Sequence, residues 1–252
     1  MRRFRTALSY RAMRLRGLFL EILLGCGMAA SAFCQVSANP GPVHNSPDEA
    51  KRESKFQSIY WPAERKGEEA LKKADYAAAK KSLLVARAAA RDRGDSKWLE
   101  LATTLSELGT AELAEQNLEA AEQLYKESLD LHEKHQKPDE AEVGGALQSL
   151  ASVYMEEDHL REAEPLIARS VDIYKARITT IPSGHMAEAK ADYGRHIALG
   201  SFLLAAIGAR TQREEMARAR CADAVEYGKQ WLQGREQGLV MEKCGQILVQ
   251  SK

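Results

Sequence analysis

One stretch of this sequence returns at a displacement of 42 residues, twice and without a gap. Asp75-Tyr-Ala-Ala-Ala-Lys-Lys-Ser-Leu-Leu-Val-Ala is followed by Asn117-Leu-Glu-Ala-Ala-Glu-Gln-Leu-Tyr-Lys-Glu-Ser and His159-Leu-Arg-Glu-Ala-Glu-Pro-Leu-Ile-Ala-Arg-Ser. At equivalent places stand Tyr76, Leu118 and Leu160, then Ala79, Ala121 and Ala163, then Leu83, Tyr125 and Ile167. Ala86, Ser128 and Ser170 follow, with Ala89, Leu131 and Ile173 after them. Steps of three and four residues place these side chains on one face of an α-helix. A fixed period of this length marks a stack of identical supersecondary units, because one unit cannot bury its apolar face alone.

A second helix precedes each of these. Gly67, Gly109 and Ala151 stand at matching positions, small enough for two helices to cross closely. Leu108 and Leu150 come just before the last two, while the first copy has Lys66. Between copies, Arg93-Gly-Asp-Ser and Gln136-Lys-Pro-Asp are turn chemistry, with Asp or Ser predicted to cap the next helix. Few aromatics, few prolines and no β-branched runs argue against a sandwich or barrel.

These residues resemble the tetratricopeptide repeat in its 42-residue, kinesin-light-chain-like form. The resemblance rests on Leu108-Gly109, Ala121, Tyr125 and Ser128, and on Leu150-Ala151, Tyr154, Ala163, Ile167 and Ser170, with the phrase Arg161-Glu-Ala-Glu-Pro-Leu. It implies an all-α fold, a right-handed α-α superhelix of three to four helix-turn-helix repeats closed by a C-terminal capping helix. The repeats are expected at about 58–95, 96–138 and 139–178. A degenerate fourth is expected at 186–234, as helices Met186–Ile207 and Gln212–Gln233, with Leu204-Ala205, Ala217, Cys221 and Ala224 in the signature places. Residues 235–252 are expected to cap the stack. Trp61-Pro62 is expected to open the first helix, and Pro165, in the second turn of its helix, to bend it locally.

The first 38 residues read as an export signal. They hold six arginines and one acid, Glu21, followed by an apolar run from Gly17 to Phe33 and small residues around Ala30-Ser31-Ala32 and Val36-Ser37-Ala38. Met13 offers an alternative start. Leu23-Leu24-Gly25-Cys26 also resembles a bacterial lipobox, with Cys26 as the acylated residue, although the apolar run continues past it; an uncleaved anchor is the third reading. The protein is thus expected to be periplasmic or secreted in a bacterium, touching a membrane only through an N-terminal lipid or anchor. Residues 39–57, with Pro40, Pro42 and Pro47, read as a flexible tether.

The whole chain is neutral, with 36 basic and 36 acidic residues, but removal of residues 1–38 leaves 30 and 35. That acidic balance argues against nucleic acid as a partner. No phosphate loop, dinucleotide fingerprint or nucleophile elbow occurs, so neither a cofactor nor catalysis is expected. His132 and His135 near a helix end, His185 and His196 in the irregular 179–212 stretch, and the run Arg210, Arg213, Arg218 and Arg220 are the remaining candidates for chemistry. For the histidine pair and the arginine run, a dipole-favoured helix end and a solvated face are sufficient explanations. Cys221 and Cys244 either form a disulfide or act as two small buried thiols.

The resemblance also implies where a protein or peptide partner would lie. Carrying over the family's groove positions gives Trp61, Arg65, Glu68, Leu71 and Lys72 from the first repeat. Thr103, Ser106, Thr110, Leu113 and Ala114 come from the second, and Gly145, Gln148, Ser152, Met155 and Glu156 from the third. A groove so lined suits an extended peptide or a helix; self-association is the other use such a surface can have. Glu68 stands where a carboxylate-clamping member of the family would need a neutral or basic group.

Overall fold

The structure, a computed structural model, describes residues 46–137, 140–181 and 187–250. Among the described residues there are nine α-helices and no strand. They are α1 (Pro47–Lys72), α2 (Tyr76–Asp92), α3 (Trp98–Ala114), α4 (Leu118–His135), α5 (Ala141–Glu156), α6 (Leu160–Thr180), α7 (Ala187–Arg210), α8 (Glu214–Trp231) and α9 (Gly234–Gln250). A single 3-10 turn, Gly94–Lys97, joins α2 to α3. Two compact units divide the chain at residue 138. In the first, α1 packs on α2, α2 on α3, and α3 on α4; in the second, α5 packs on α6, α6 on α7, α7 on α8, and α9 on both α8 and α7.

The hairpins α1–α2, α3–α4, α5–α6 and α7–α8 close through the same turn. Ala74, Gln116, Asp158 and Gln212 are the non-glycine residues with positive φ among the described residues, at 55°, 64°, 64° and 60°. The amide after each reaches back five residues to the first helix: Asp75 N to Ala70 O (2.9 Å), Asn117 N to Glu112 O (2.8 Å), His159 N to Tyr154 O (2.7 Å) and Arg213 N to Gly208 O (2.8 Å). The turn residue's own amide reaches back three, as Ala74 N does to Leu71 O at 2.9 Å. This pair of bonds satisfies carbonyls that the helix end would otherwise orphan. The four turns repeat at the spacing of the sequence period, except that the last is later by twelve residues.

In the first two hairpins a glycine meets a large side chain, whereas in the fourth Gly208 meets Ala217. A Cβ on Gly67 would lie 2.6 Å from the Leu83 side chain, and one on Gly109 would lie 2.8 Å from the Tyr125 ring. Leu83 and Tyr125 are buried, so neither can swing away. Further along the crossing a serine hydroxyl ties the second helix to the first. Ser128 Oγ donates to Ala102 O at 2.9 Å, and Ser170 Oγ donates to Gly144 O at 2.8 Å, the same contact one period later.

Four sequence expectations change. The tether at 39–57 gives way to helix from Pro47 onward. Ser46 caps it, accepting from Glu49 N at 3.3 Å, and Pro47 needs no donor at a first-turn position. This early part of α1 is then held tertiarily: Phe56 stacks on Tyr60 at 5.0 Å, Lys97 lies 4.7 Å over the Phe56 ring, and Arg93 pairs with Glu49. Pro62 consequently lies inside α1 rather than at its opening; its missing donor falls on the exposed face, where water can satisfy the Ser58 carbonyl. Asp95 and Ser96 do not cap α3: Ser96 Oγ donates to Arg93 O, and Asp95 pairs with Lys134. Asp139, the other expected cap, lies outside the described residues. Finally, α7 and α8 end at Arg210 and Trp231, not at Ile207 and Gln233. Helix α6 runs unbroken through Pro165.

In the second unit α7 is buried on every side from Tyr193 to Gly208 apart from Arg195, because α6, α8 and α9 all pack on it. Trp231 lies so close to Gly194 that a Cβ there would overlap its ring.

A left-handed alanine costs ~1–2 kcal/mol, and glycine's extra freedom in the unfolded chain costs ~0.4–1 kcal/mol. Ala74→Gly is therefore expected to stabilise the first hairpin by about 0.5–1 kcal/mol, and Ala74→Val to destabilise it, as read by urea titration.

Candidate protein-binding site

The expected groove positions fall on the first helices of the hairpins, but they do not share one fate. Trp61, Arg65, Glu68 and Lys72 form a stripe along α1, and Thr103, Ser106, Thr110 and Ala114 form the corresponding stripe on α3. The two helices are neighbours: Tyr60 Oη on α1 donates to Glu100 O at 3.0 Å and lies 3.2 Å from Thr104 Oγ1 on α3. Leu71, Leu113 and Met155 occupy one equivalent position, and all three are buried, at 7%, 2% and 5% exposure. Ten residues beyond the start of the stripe the helix has turned this position into the hairpin core, so these three do not line a surface.

The polar members are also partly committed. Ser106 Oγ is 2.9 Å from Ser128 Oγ, and Thr110 Oγ1 is 3.0 Å from both the Ser106 carbonyl and Tyr125 Oη. Ser152 is buried and donates to the Ser149 carbonyl. Gln148 Oε1 lies 2.7 Å from His196 Nδ1, and Gln148 Nε2 donates to His196 O at 3.3 Å. Gly145 faces the Tyr174 hydroxyl, 3.4 Å from where a Cβ would sit, and Glu156 is half-buried. What the first unit leaves open is Trp61 (39% exposed), Arg65 and Lys72, the last paired with Glu68 at 2.6 Å, with Thr103 and Ala114 half-buried alongside.

Acidic groups surround the Tyr60 seam. Burial raises the Tyr60 hydroxyl well above the ordinary phenol range, and Glu107, Glu64 and Glu100 reinforce it. Burial, followed by the adjacent Glu68, holds the Glu64 carboxyl above its usual range. Neither Tyr60 nor Glu64 was legible as a polar seam, since each alone looks like an ordinary helix residue; their step of four to Glu68 was the signal.

The other candidates resolve into packing. His135 stacks on Trp98 at 4.8 Å, while His132 meets the same ring edge-on at 5.8 Å and lies 3.0 Å from Gln136. No group of three metal-ligating side chains occurs among the described residues. Arg210 pairs with Asp158, Arg213 with Glu164 (2.5 Å), Arg218 with Glu214 (3.9 Å) and Arg220 with Asp223 (3.6 Å). His196 stacks on Tyr174 at 4.5 Å; because Gln148 Oε1 can only accept, Nδ1 carries the proton. His185 and Cys26 lie outside the described residues. Cys221 and Cys244 are both buried and unbridged. No described helix is long and apolar enough to cross a membrane.

Helical hairpins closed by one recurring turn, the first three at a fixed 42-residue spacing, define a helix-repeat protein. The family model of the tetratricopeptide repeat matches residues 100–176. Two crystal structures from Podosopora anserina, of nearly identical TPR-like repeats described as kinesin light chain, are similar to it, each at 19% identity. One covers 79% of this chain and 96% of its own, with a TM-score of 0.44; the other covers 79% and 97%, with a TM-score of 0.42. No curated protein matches the sequence. Tetratricopeptide repeats generally mediate protein–protein interaction and typically act without catalysis.

His196 gives this region a pH dependence. Burial depresses its pKa below the ordinary 6.5, with Asp192 opposing and Arg195 adding to the shift. The unfolded chain therefore takes up the proton first, so stability present above that value is lost as pH falls below it. Between pH 7 and pH 5 the urea midpoint is expected to fall more steeply in the native protein than in His196→Gln.

Proposed function

We propose that this chain is an exported, non-catalytic scaffold that holds a protein or peptide partner against the α1–α3 face. The observation that carries the reading is the contrast along that face. The hydroxyls of Ser106 and Thr110 on α3 are spent on their own hairpin, while Trp61 and Arg65 on α1 are exposed. A large half-exposed aromatic next to a guanidinium is the combination most enriched in side chains that dominate interfaces. Along α3 the half-buried Thr103 and Ala114 are small enough to leave room for a partner backbone. Acid-rich surroundings at Glu64, Glu68 and Glu107 disfavour nucleic acid at the same face.

Export rests on the arginine-rich start and the apolar run that follows it. A tether through an acylated Cys26, assisting assembly of an envelope complex, is the alternative, supported by the Leu23-Leu24-Gly25-Cys26 wording.

Trp61→Ala combined with Arg65→Glu is expected to reduce partner capture from an envelope extract about tenfold, a loss of ~1.4 kcal/mol, with helicity unchanged. Leu84→Ser, on an exposed face of α2, serves as the control and should capture as the native chain does. Equal capture by the double variant overturns the assignment of the face. The mass of the mature N-terminus, unlipidated near residues 33–39 or acylated at Cys26, separates release from tethering.

A further inference from the structure

Two residues that take no part in the proposed binding face meet at the end of the second unit. Cys221 lies on α8 and Cys244 on α9, each with no exposure to solvent. The two helices are joined by Leu232 and Gln233 alone, so they run back on one another. Their register is fixed near the turn. Gln237 Nε2 donates to Gly228 O at 3.1 Å, and a Cβ on Gly228 would lie 3.1 Å from Met241 and 3.6 Å from Val240. Two helical turns are about seven residues. Seven back from Gly228 is Cys221, and seven on from Gln237 is Cys244, so the register that seats the turn also sets the two cysteines opposite each other. Cys221 is the neighbour that most raises the Cys244 thiol, so the two side chains adjoin where α9 packs on α8. In the earlier repeats the place of Cys221 is taken by Leu83, Tyr125 and Ile167, each buried and large. Here a pair of thiols fills that place.

We propose that Cys221 and Cys244 are a disulfide-forming pair, which staples α9 onto α8 when the chain meets a thiol-oxidising environment containing a small-molecule disulfide. One thiolate attacks the small disulfide, forming a mixed disulfide and expelling one thiolate of the oxidant. The second cysteine thiolate attacks the protein sulfur of that bond, forming Sγ–Sγ and expelling the other. Two protons leave the cysteines, and two electrons reduce the oxidant to two thiols. In the docked hairpin the Cys221 sulfur and burial push the Cys244 thiol up, which suppresses its thiolate. Exchange therefore begins while α9 is lifted from α8, during folding or local opening, and redocking brings the second sulfur into line.

The test uses the purified full chain, reduced and then incubated with oxidised glutathione at about pH 8, a value at which thiols begin to ionise. Trypsin cutting after Arg220, Lys229 and Lys243 isolates each cysteine in its own peptide, 221–229 and 244–252. The expected dominant product in a non-reducing digest is these two peptides joined. Amide exchange across 234–248 should then slow at least about tenfold relative to the reduced protein, since opening of α9 no longer frees its end. In Cys221→Ser, Cys244 should carry glutathione instead of a crosslink. Separate glutathione adducts on both cysteines of the native chain, bonds to Cys26 or Cys34, or bonds between chains as the main product would overturn the proposal.

Discussion

Each hairpin of this protein depends on how closely its two helices can approach. Gly67 under Leu83 and Gly109 under Tyr125 leave no space for even a methyl group. Glycine inside a helix costs about 1 kcal/mol relative to alanine, so its presence mid-helix in α1 and α3 is a local penalty accepted for a tertiary contact. Burying a Leu or Tyr side chain returns ~1.5–3 kcal/mol, which exceeds that penalty. The close crossing in turn brings Ser128 within reach of the Ala102 carbonyl, and Ser170 within reach of Gly144. It also fixes which faces remain outward, and therefore what a partner can touch.

The repeat itself was legible because its period reports packing directly: residues that must touch across a crossing recur at one spacing. Ala74, Gln116, Asp158 and Gln212 were not legible as left-handed turn residues, since none is glycine or asparagine. Only the bonds to the preceding helix reveal what holds them there. The start of α1 was misread for a related reason. Prolines at 40, 42 and 47 suggest an extended tether when propensity is summed, yet Pro47 stands at the one helical position that tolerates it. Glu49, Glu53 and Phe56 then gain partners on Arg93 and Lys97, which are distant in sequence.

The proposed α1–α3 face shows the same division. Positions carried over from a family pattern fall on the first helices of the hairpins, but the pattern cannot say which side chains the protein has already used. Leu71, Leu113 and Met155 serve the core, while Ser106, Thr110 and Gln148 serve hydrogen bonds inside their own unit. Trp61 and Arg65 on α1 stay exposed. Charge reads consistently with this. Arg210, Arg213, Arg218 and Arg220, which as a sequence form a basic run, are drawn into pairs with Asp158, Glu164, Glu214 and Asp223. Such exposed pairs contribute little individually, ~0.2–1 kcal/mol, but they leave no open basic patch there.

A double-mutant cycle at the second hairpin tests the central claim that the crossing governs the hairpin. Gly109→Ala in the native chain sets a helix gain of about 1 kcal/mol against an overpacking cost of ~1–3 kcal/mol, so a net loss of stability is expected. In a Tyr125→Ala background the ring is gone, and the same substitution should become stabilising by about 1 kcal/mol in urea unfolding. A reversal of sign is the result this account requires. An effect of Gly109→Ala that is the same in both backgrounds would show that the crossing does not hold the hairpin together.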